Sequence, residues 1–242
     1  MQPLRSGAVF RSNTKDMKNC WVLILFVLSF FNAVSQQTET RDVGSFSGVK
    51  AAEGIDVFLK KGDKEEVKVE VTGTEASNVI TEVSGSYLKI HRKEGRYRNF
   101  DAKVYVTYVK LNNLSASSAG SIFSEGTIQS NSMDISASSA GSIEVTIDAG
   151  SAEVSSSSAG DVELKGKATR ISMNASSAGE IDGYDLEADE VEAEASSGGS
   201  VKLNAKESLE ARAGSGGSIR YRGNPDRLNS NSSSGGSVRK TN

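Results

Sequence analysis

The sequence predicts an all-β protein, a right-handed single-stranded parallel β-helix of about seven rungs with 18–21 residues per rung. A Ser-Ser-Ala-Gly-like peptide recurs seven times in the second half of the chain, and its last glycine returns after 18 to 21 residues. A repeat of about twenty residues is typical of solenoids, whose units bury a core only by stacking on their neighbours. Between the copies, apolar and polar residues alternate with period two, which favours strands over helices. The repeated corner glycines are Gly120, Gly141, Gly160, Gly179, Gly199, Gly217 and Gly236.

The chain begins with the features of an exported protein. Residues 20–31 form an apolar run of 12, preceded by Lys15 and Lys18 and followed by small residues up to Ser35. This pattern is typical of a secretory signal peptide, and the run is shorter than the roughly 20 residues that span a bilayer. We assign residues 1–35 to a signal peptide and expect the protein in the periplasm, on the outer surface or in the medium. Because Met17 would be a more ordinary start, we hypothesise that residues 1–16 are an over-extended gene start.

Residues 36–111 precede the repeats. Residues 36–41 are polar, and we interpret them as a short leader. Residues 42–111 contain four segments rich in β-branched and aromatic residues, separated by glycine-containing turns, which predicts a β block. No Pro/Gly-rich linker follows this block, so we expect it to stack directly on the solenoid as an N-terminal cap. The four segments are residues 55–59, 67–71, 87–91 and 104–109.

Residues 112–242 contain the repeats and a polar C-terminal cap. We expect each corner glycine to adopt a positive φ, which glycine does without a Cβ penalty. The small residue before it should let neighbouring rungs approach closely at the bend. The last rung, from Asn224, is rich in Asn and Ser and contains Pro225, a composition that suits a blunted sheet edge.

Composition weighs against several classes of function. Residues 36–242 hold 24 Lys and Arg against 30 Asp and Glu, and this net negative charge argues against nucleic acid as a partner. The only cysteine, Cys20, lies in the signal segment, so the mature chain is expected to have no disulfide and no thiol ligand. His91 is the only histidine, which leaves no second imidazole for a transition-metal site. We therefore expect no cofactor, no bound metal and no membrane span after residue 35.

Two acidic patterns are candidates for chemistry. Asp161 and Glu180 follow consecutive corner glycines and should lie one rung apart, where two carboxylates could hold a cation or serve as an acid–base pair. The other five copies have Ser at this position, which favours a merely solvated pair. The acidic run at residues 187–194 should face Lys and Arg on neighbouring segments, which indicates cross-strand charge pairing.

The loop at residues 96–100 is the candidate for a ligand contact. Arg96, Tyr97, Arg98 and Phe100 cluster there, at the junction with the repeats. Loops on rigid scaffolds often carry recognition, and aromatic rings are a usual platform for sugars. The alternative is that Phe100 and Tyr105 only pack the cap against the first rung.

The entry segment and the repeats together resemble a known family. Residues 46–49 (Phe-Ser-Gly-Val) lead into residues 53–57 (Glu-Gly-Ile-Asp-Val), a turn at Gly62 and residues 67–71 (Val-Lys-Val-Glu-Val). With the Ser-Ser-Ala-Gly series that follows, this is similar to the putative auto-transporter adhesin, head GIN domain family, over roughly residues 42–240. Members are typically exported proteins of Bacteroidetes-type bacteria. The resemblance implies a β-helical fold, a cell-envelope or extracellular location and an adhesive role, with no catalytic motif to carry over.

These observations predict a non-enzymatic, exported β-solenoid that acts as an adhesin-like or interaction scaffold at the cell envelope. Its partner would be a glycan or an envelope or host protein. The alternative is a carbohydrate-active enzyme, similar to a polysaccharide lyase or hydrolase, built on the same solenoid. An enzyme should have one cleft with converging carboxylates and basic residues, whereas a scaffold should have flat ladders of side chains.

Overall fold

A computed structural model describes residues 36–241, and the predicted signal peptide lies outside the described residues. Within this part of the chain there are sixteen strands, one short 3₁₀ helix (Ala76–Asn78) and no α-helix. All sixteen strands belong to a single sheet. They form a β-solenoid of about seven turns, which confirms the predicted fold class.

The strands fall into an N-terminal group of short strands and a group of long ones. The first group is β1 (Gln37–Asp42), β2 (Gly48–Ala51), β3 (Asp56–Lys61), β4 (Glu66–Thr72), β5 (Val79–Ser84), β6 (Tyr87–Arg92), β7 (Asp101–Tyr108) and β8 (Asn113–Ala116). The repeats then form β9 (Ser121–Ser138), β10 (Ser142–Ser157), β11 (Asp161–Ala175), β12 (Glu180–Ala195) and β13 (Ser200–Ala213). The last rung consists of shorter strands, β14 (Ser218–Arg222), β15 (Arg227–Ser232) and β16 (Ser237–Lys240).

The core is built from columns of side chains that run along the solenoid. Strands β9 to β13 pair parallel with their neighbours, so residues at the same distance from each corner stack on one another. Because side chains alternate across a strand, every second residue enters the interior. The second residue after each of the first six corner glycines is a fully buried Ile or Val, and each such side chain contributes about 1.5–3 kcal/mol by burial. This column is Ile122, Ile143, Val162, Ile181, Val201 and Ile219.

The N-terminal block joins the solenoid out of chain order. β2 pairs parallel with β8, and β3 pairs parallel with β9, so these two early strands form the rung that precedes the first repeat. Their other edges pair parallel with β6 and β7, which come later in the chain. β4, β5 and β1 then add in antiparallel pairs. The block is therefore joined to the repeats by direct strand pairing.

Residues 36–41 are interpreted above as a leader, and in the structure Gln37–Asp42 form strand β1. This strand pairs antiparallel with β4 along its whole length. The Arg41 guanidinium fixes it by donating hydrogen bonds to the carbonyl oxygens of Val79 at 2.6 Å and Ala76 at 2.8 Å, and to Thr81 Oγ1 at 2.9 Å. A polar sequence is compatible with this position because an edge strand is largely surrounded by solvent.

The corner peptides form tight turns in which the corner glycine and the residue before it have each other's expected roles. Ser118 and Ala119 have φ values of +49° and +60°, and the Gly120 N–H closes the turn on the Ser117 carbonyl oxygen at 2.9 Å, as in a type I′ turn. Gly120 itself is not at positive φ. A Cβ there would lie 2.8 Å from the carbonyl carbon of Ala51 in the preceding rung. The small residue therefore takes the left-handed conformation, and the glycine allows the close approach between rungs.

Candidate functional site

A groove runs along one side of the solenoid, parallel to its axis, over six consecutive rungs. Each rung contributes three successive residues, of which the middle one belongs to the core side of its strand. The pairing register places these triplets directly above one another. The triplets are residues 132–134, 151–153, 170–172, 190–192, 208–210 and 227–229, and Asp226 closes the C-terminal end.

The groove is long, shallow and polar. Its volume is about 960 Å³, and six rungs spaced ~4.8 Å apart extend for roughly 24 Å. The middle residues of the first five triplets are at most 7% exposed, because their side chains point into the core and only their main chain forms the floor. At the C-terminal end an apolar side chain reaches the surface, since Leu228 is 49% exposed. The five buried floor residues are Met133, Ala152, Ile171, Val191 and Leu209.

Two rows of polar side chains form the walls of the groove. One row is Ser132, Ser151, Arg170, Glu190, Ser208 and Arg227, and the other is Asp134, Glu153, Ser172, Glu192, Glu210 and Asn229. Carboxylates therefore outnumber guanidinium groups among the lining residues. Part of this charge is compensated, because Arg212 donates to Glu192 at 2.9 Å and also pairs with Glu210, and Arg227 lies 4.0 Å from Glu190.

Sequence reasoning missed this groove, although a signal for it exists. The wall residues Asp134, Glu153, Ser172, Glu192, Glu210 and Asn229 each stand seven positions before a corner glycine. A constant offset from a repeated corner places residues in one column of a solenoid. An alignment of only the residues next to the corners does not bring these wall positions together.

The predicted ligand loop forms a packed cluster at the N-terminal end of the corner row. Tyr97 and Phe100 lie with ring centroids 5.7 Å apart, and the Arg92 guanidinium carbon lies 5.3 Å from both centroids. Phe100 also packs against the core, and the Tyr97 hydroxyl donates to the Lys93 carbonyl oxygen at 2.9 Å. These contacts favour a packing role for both rings. Arg96 and Arg98 are exposed, and the loop's role in binding stays a prediction.

The predicted carboxylate pair forms as the register implied. Asp161 and Glu180 are Cα partners on adjacent rungs. Desolvation, followed by the neighbouring carboxylates with Glu180 first, raises the pKa of Asp161. The Lys202 ammonium lies 2.7 Å from Glu180 and 3.0 Å from Asp182, and hydrogen bonds to these carboxylates raise its pKa to about 12. This arrangement is a cross-strand charge network, and neither Asp161 nor Glu180 lines the groove.

A half-buried aromatic row on the N-terminal rungs was also not foreseen. The Phe58 ring stacks on Tyr105 and on Phe123, with centroids 5.3 Å apart in both pairs. The three residues occupy the same register position in β3, β7 and β9. Because the rings stack on one another, their faces are engaged along the row. The row therefore joins the cap to the first repeat, and it is a weaker platform for sugar rings than its composition suggests.

Two kinds of feature, a metal-binding cluster and a membrane-spanning helix, are absent from residues 36–241. No group of three or more His, Cys, Asp or Glu side chains in that range is arranged to hold a metal ion. His91 Nδ1 lies 3.1 Å from the carbonyl oxygen of Arg92. No helix in the same range is long and apolar enough to cross a bilayer.

The family assignment follows from a match over most of the chain. Residues 45–225 match the family described as "Putative auto-transporter adhesin, head GIN domain". The chain belongs to this family. The match confirms the resemblance drawn from the entry segment and the Ser-Ser-Ala-Gly series.

Solved structures from Bacteroides and Parabacteroides species share the fold. A "putative adhesin" from Bacteroides fragilis NCTC 9343 is 21% identical with a TM-score of 0.77, and the match covers 86% of this chain and 97% of that one. A "putative lipid binding protein" from Parabacteroides distasonis ATCC 8503 is 20% identical with a TM-score of 0.66, covering 87% and 98%. A "putative adhesin" from the same organism is 18% identical with a TM-score of 0.68, covering 86% and 98%. A comparison with curated proteins finds no match.

Proposed function

We propose that the family member described here is an exported, non-enzymatic, adhesin-like protein that binds an extended polymer along its six-rung groove. The alignment of six wall–floor–wall triplets carries this proposal. A linear ligand can repeat the same contact from rung to rung, and each weak polar contact adds to the next. The rigid, fully paired strands hold the wall side chains in place before the ligand arrives, which lowers the ordering cost of binding.

The distribution of carboxylates supports a binding role over the enzymatic alternative. Hydrolases of glycosides usually position two carboxyl groups on either side of one bond. Among the groove carboxylates, which extend from Asp134 to Asp226, only Glu190 and Glu192 stand on opposite walls of one rung. Each of these two is paired with a guanidinium group, Glu190 with Arg227 at 4.0 Å and Glu192 with Arg212 at 2.9 Å. The pair with the perturbed carboxyl, Asp161 and Glu180, lies outside the groove and is tied to Lys202. These features suit a scaffold.

The proposed location is the cell envelope or its exterior, and the proposed partner is a glycan or an envelope or host protein. The signal-like residues 1–35 and the family's description as an adhesin support export. Of the three similar structures named above, two are described as putative adhesins and one as a putative lipid binding protein.

A groove-filling variant tests the proposal. Ser172 points outward in the middle of the groove, so Ser172→Trp should block it without entering the core. Thr127→Trp makes a comparable exposed change outside the groove and is the matched control. Both are compared with the wild type for binding to bacterial and host cell surfaces and to glycan and protein arrays. We expect Ser172→Trp to lose most binding and Thr127→Trp to keep it.

A double change, Tyr97→Ala with Phe100→Ala, tests the loop in the same assays. Binding that persists in Ser172→Trp but disappears in the double variant would move the site from the groove to the loop. Binding that is equal in all variants would contradict both assignments.

A further inference from the structure

The groove has an uneven distribution of charge along its length. Its lining includes six carboxylates, Asp134, Glu153, Glu190, Glu192, Glu210 and Asp226, and two guanidinium groups, Arg170 and Arg227. The compensating contacts lie in the C-terminal half, where Arg212 and Arg227 approach Glu190, Glu192 and Glu210. In the N-terminal half, the ion pairs found within residues 36–241 include neither Asp134 nor Glu153. This half therefore presents two carboxylates that form no ion pair with the described residues, beside one guanidinium group, Arg170. Asp134 Oδ2 also accepts a hydrogen bond from Asn113 Nδ2 at 3.0 Å.

The chemistry of the lining selects a class of ligand. The lining residues include no aromatic side chain on which a sugar ring could stack. They offer carboxylate acceptors, which form their strongest hydrogen bonds with ammonium and guanidinium donors. At the opposite end the exposed Leu228 offers an apolar contact. A groove of roughly 24 Å matches about seven residues of extended polypeptide at ~3.4 Å per residue.

We propose that the groove binds an extended cationic peptide segment of about seven residues, with Lys or Arg side chains over Asp134 and Glu153 and an apolar side chain near Leu228. This inference rests on the proposed function and names its ligand class. The floor main chain is already paired within the sheet ladders. Recognition therefore depends on side chains, and the charged rows set both affinity and direction.

The test measures peptide binding by fluorescence anisotropy on the purified protein. The probe is a labelled heptapeptide of alternating Lys and Ser that carries Leu at one end, and its partner probe has Glu in place of Lys. The groove variant is Asp134→Asn with Glu153→Gln. The charge-matched control is Glu125→Gln with Glu207→Gln, two exposed residues that do not line the groove.

We expect the Lys probe to bind and the Glu probe to bind far more weakly. The groove variant should bind the Lys probe roughly tenfold more weakly, a change of about 1.4 kcal/mol, because it loses two exposed ion pairs with the probe. The control variant should match the wild type, and raising the salt concentration should reduce the difference between groove variant and wild type.

Three outcomes would overturn the inference. Equal weakening in the control variant would show general attraction to an acidic protein. Equal binding of the Lys and Glu probes would exclude charge recognition. Binding of a chitosan oligomer or a neutral oligosaccharide in place of the peptide, lost in Ser172→Trp, would reject the peptide while leaving the proposed groove function intact. Cell-surface binding that survives Ser172→Trp would instead contradict the proposed function itself.

Discussion

The corner glycine and the residue before it predict stability changes of different size when one methyl group is added to the first or removed from the second. Gly160 makes the close approach between rungs. A Cβ at this position would lie 2.6 Å from the carbonyl oxygen of Ala137, 2.7 Å from its carbonyl carbon and 3.0 Å from the Ser138 nitrogen. All three are backbone atoms, so no side chain can rotate away. Ala159, one residue earlier, has a φ of +59°.

The size of the effect of Gly160→Ala follows from these distances. Ordinary van der Waals contact begins at 3.4 Å, so the two rungs must separate by close to 1 Å locally. The hydrogen bonds that join this corner to the preceding rung, such as Asp161 N–H to the Gly141 carbonyl oxygen at 2.9 Å, would then exceed the normal range. One such bond contributes about 1 kcal/mol and overpacking costs typically 1–3 kcal/mol. We expect Gly160→Ala to lower the free energy of unfolding by about 3 kcal/mol.

Ala159→Gly should change stability by less than about 1 kcal/mol. Glycine relieves the strain of a left-handed alanine, about 1–2 kcal/mol, and adds entropy to the unfolded chain at a comparable cost. The chain already has glycine at this position in three copies, Gly198, Gly216 and Gly235, with φ between +75° and +77° and open space where a Cβ would lie. These copies show that the turn accepts glycine here.

Urea denaturation followed by circular dichroism measures both variants. Because repeat proteins can unfold rung by rung, amide hydrogen exchange at residues 137–162 should accompany it. We expect Gly160→Ala to speed exchange there and Ala159→Gly to leave it unchanged. Equal destabilisation by the two changes, or a larger loss for Ala159→Gly, would refute the assignment of the two roles.

Three further perturbations address charges and the first strand. Asp161→Ser should raise the melting temperature at neutral pH, because it removes a carboxylate whose ionised form is disfavoured in the folded protein. The pKa of Asp161 is raised above its ordinary value of 3.8 in the folded state, so the stability of the wild type falls as the pH rises from 3.8 through the raised pKa. A variant that matched the wild type across this range would contradict the cause given. Lys202→Met should be destabilising below pH 10.5, with the deficit shrinking as pH rises through about 12, the raised pKa of Lys202; a constant deficit would argue against the ion pairs. Arg41→Ala should cost about 3 kcal/mol by leaving the Ala76 and Val79 carbonyl oxygens without their charged donor. Amide hydrogen exchange should then become faster in β1 before it does so in other strands, and unchanged exchange in β1 would contradict this explanation.

The sequence does not show whether the aromatic residues of the predicted ligand loop are exposed or packed. The loop at residues 96–100 was predicted from its aromatic and arginine content, yet Tyr97 and Phe100 pack against each other and beneath Arg92. Composition cannot tell an exposed ring from one covered by a neighbouring side chain, because that depends on contacts with β6. The groove residues, in contrast, stand at a constant offset from the corner glycines. Their alignment in columns could be derived from the sequence, whereas the shape of the groove could be seen only in the structure.

The sequence alone determined the solenoid, the number of its rungs and the columns of its core. These properties are local and periodic: the corner peptide sets the length of each rung, and the period-two alternation sets which side chains enter the core. Tertiary structure decided the rest. It placed β2 and β3 between strands that come later in the chain, turned residues 37–42 into an edge strand, and assigned the close approach to the corner glycine. Each of these features depends on contacts between segments that are distant in the sequence, and a local repeat contains no information about such contacts.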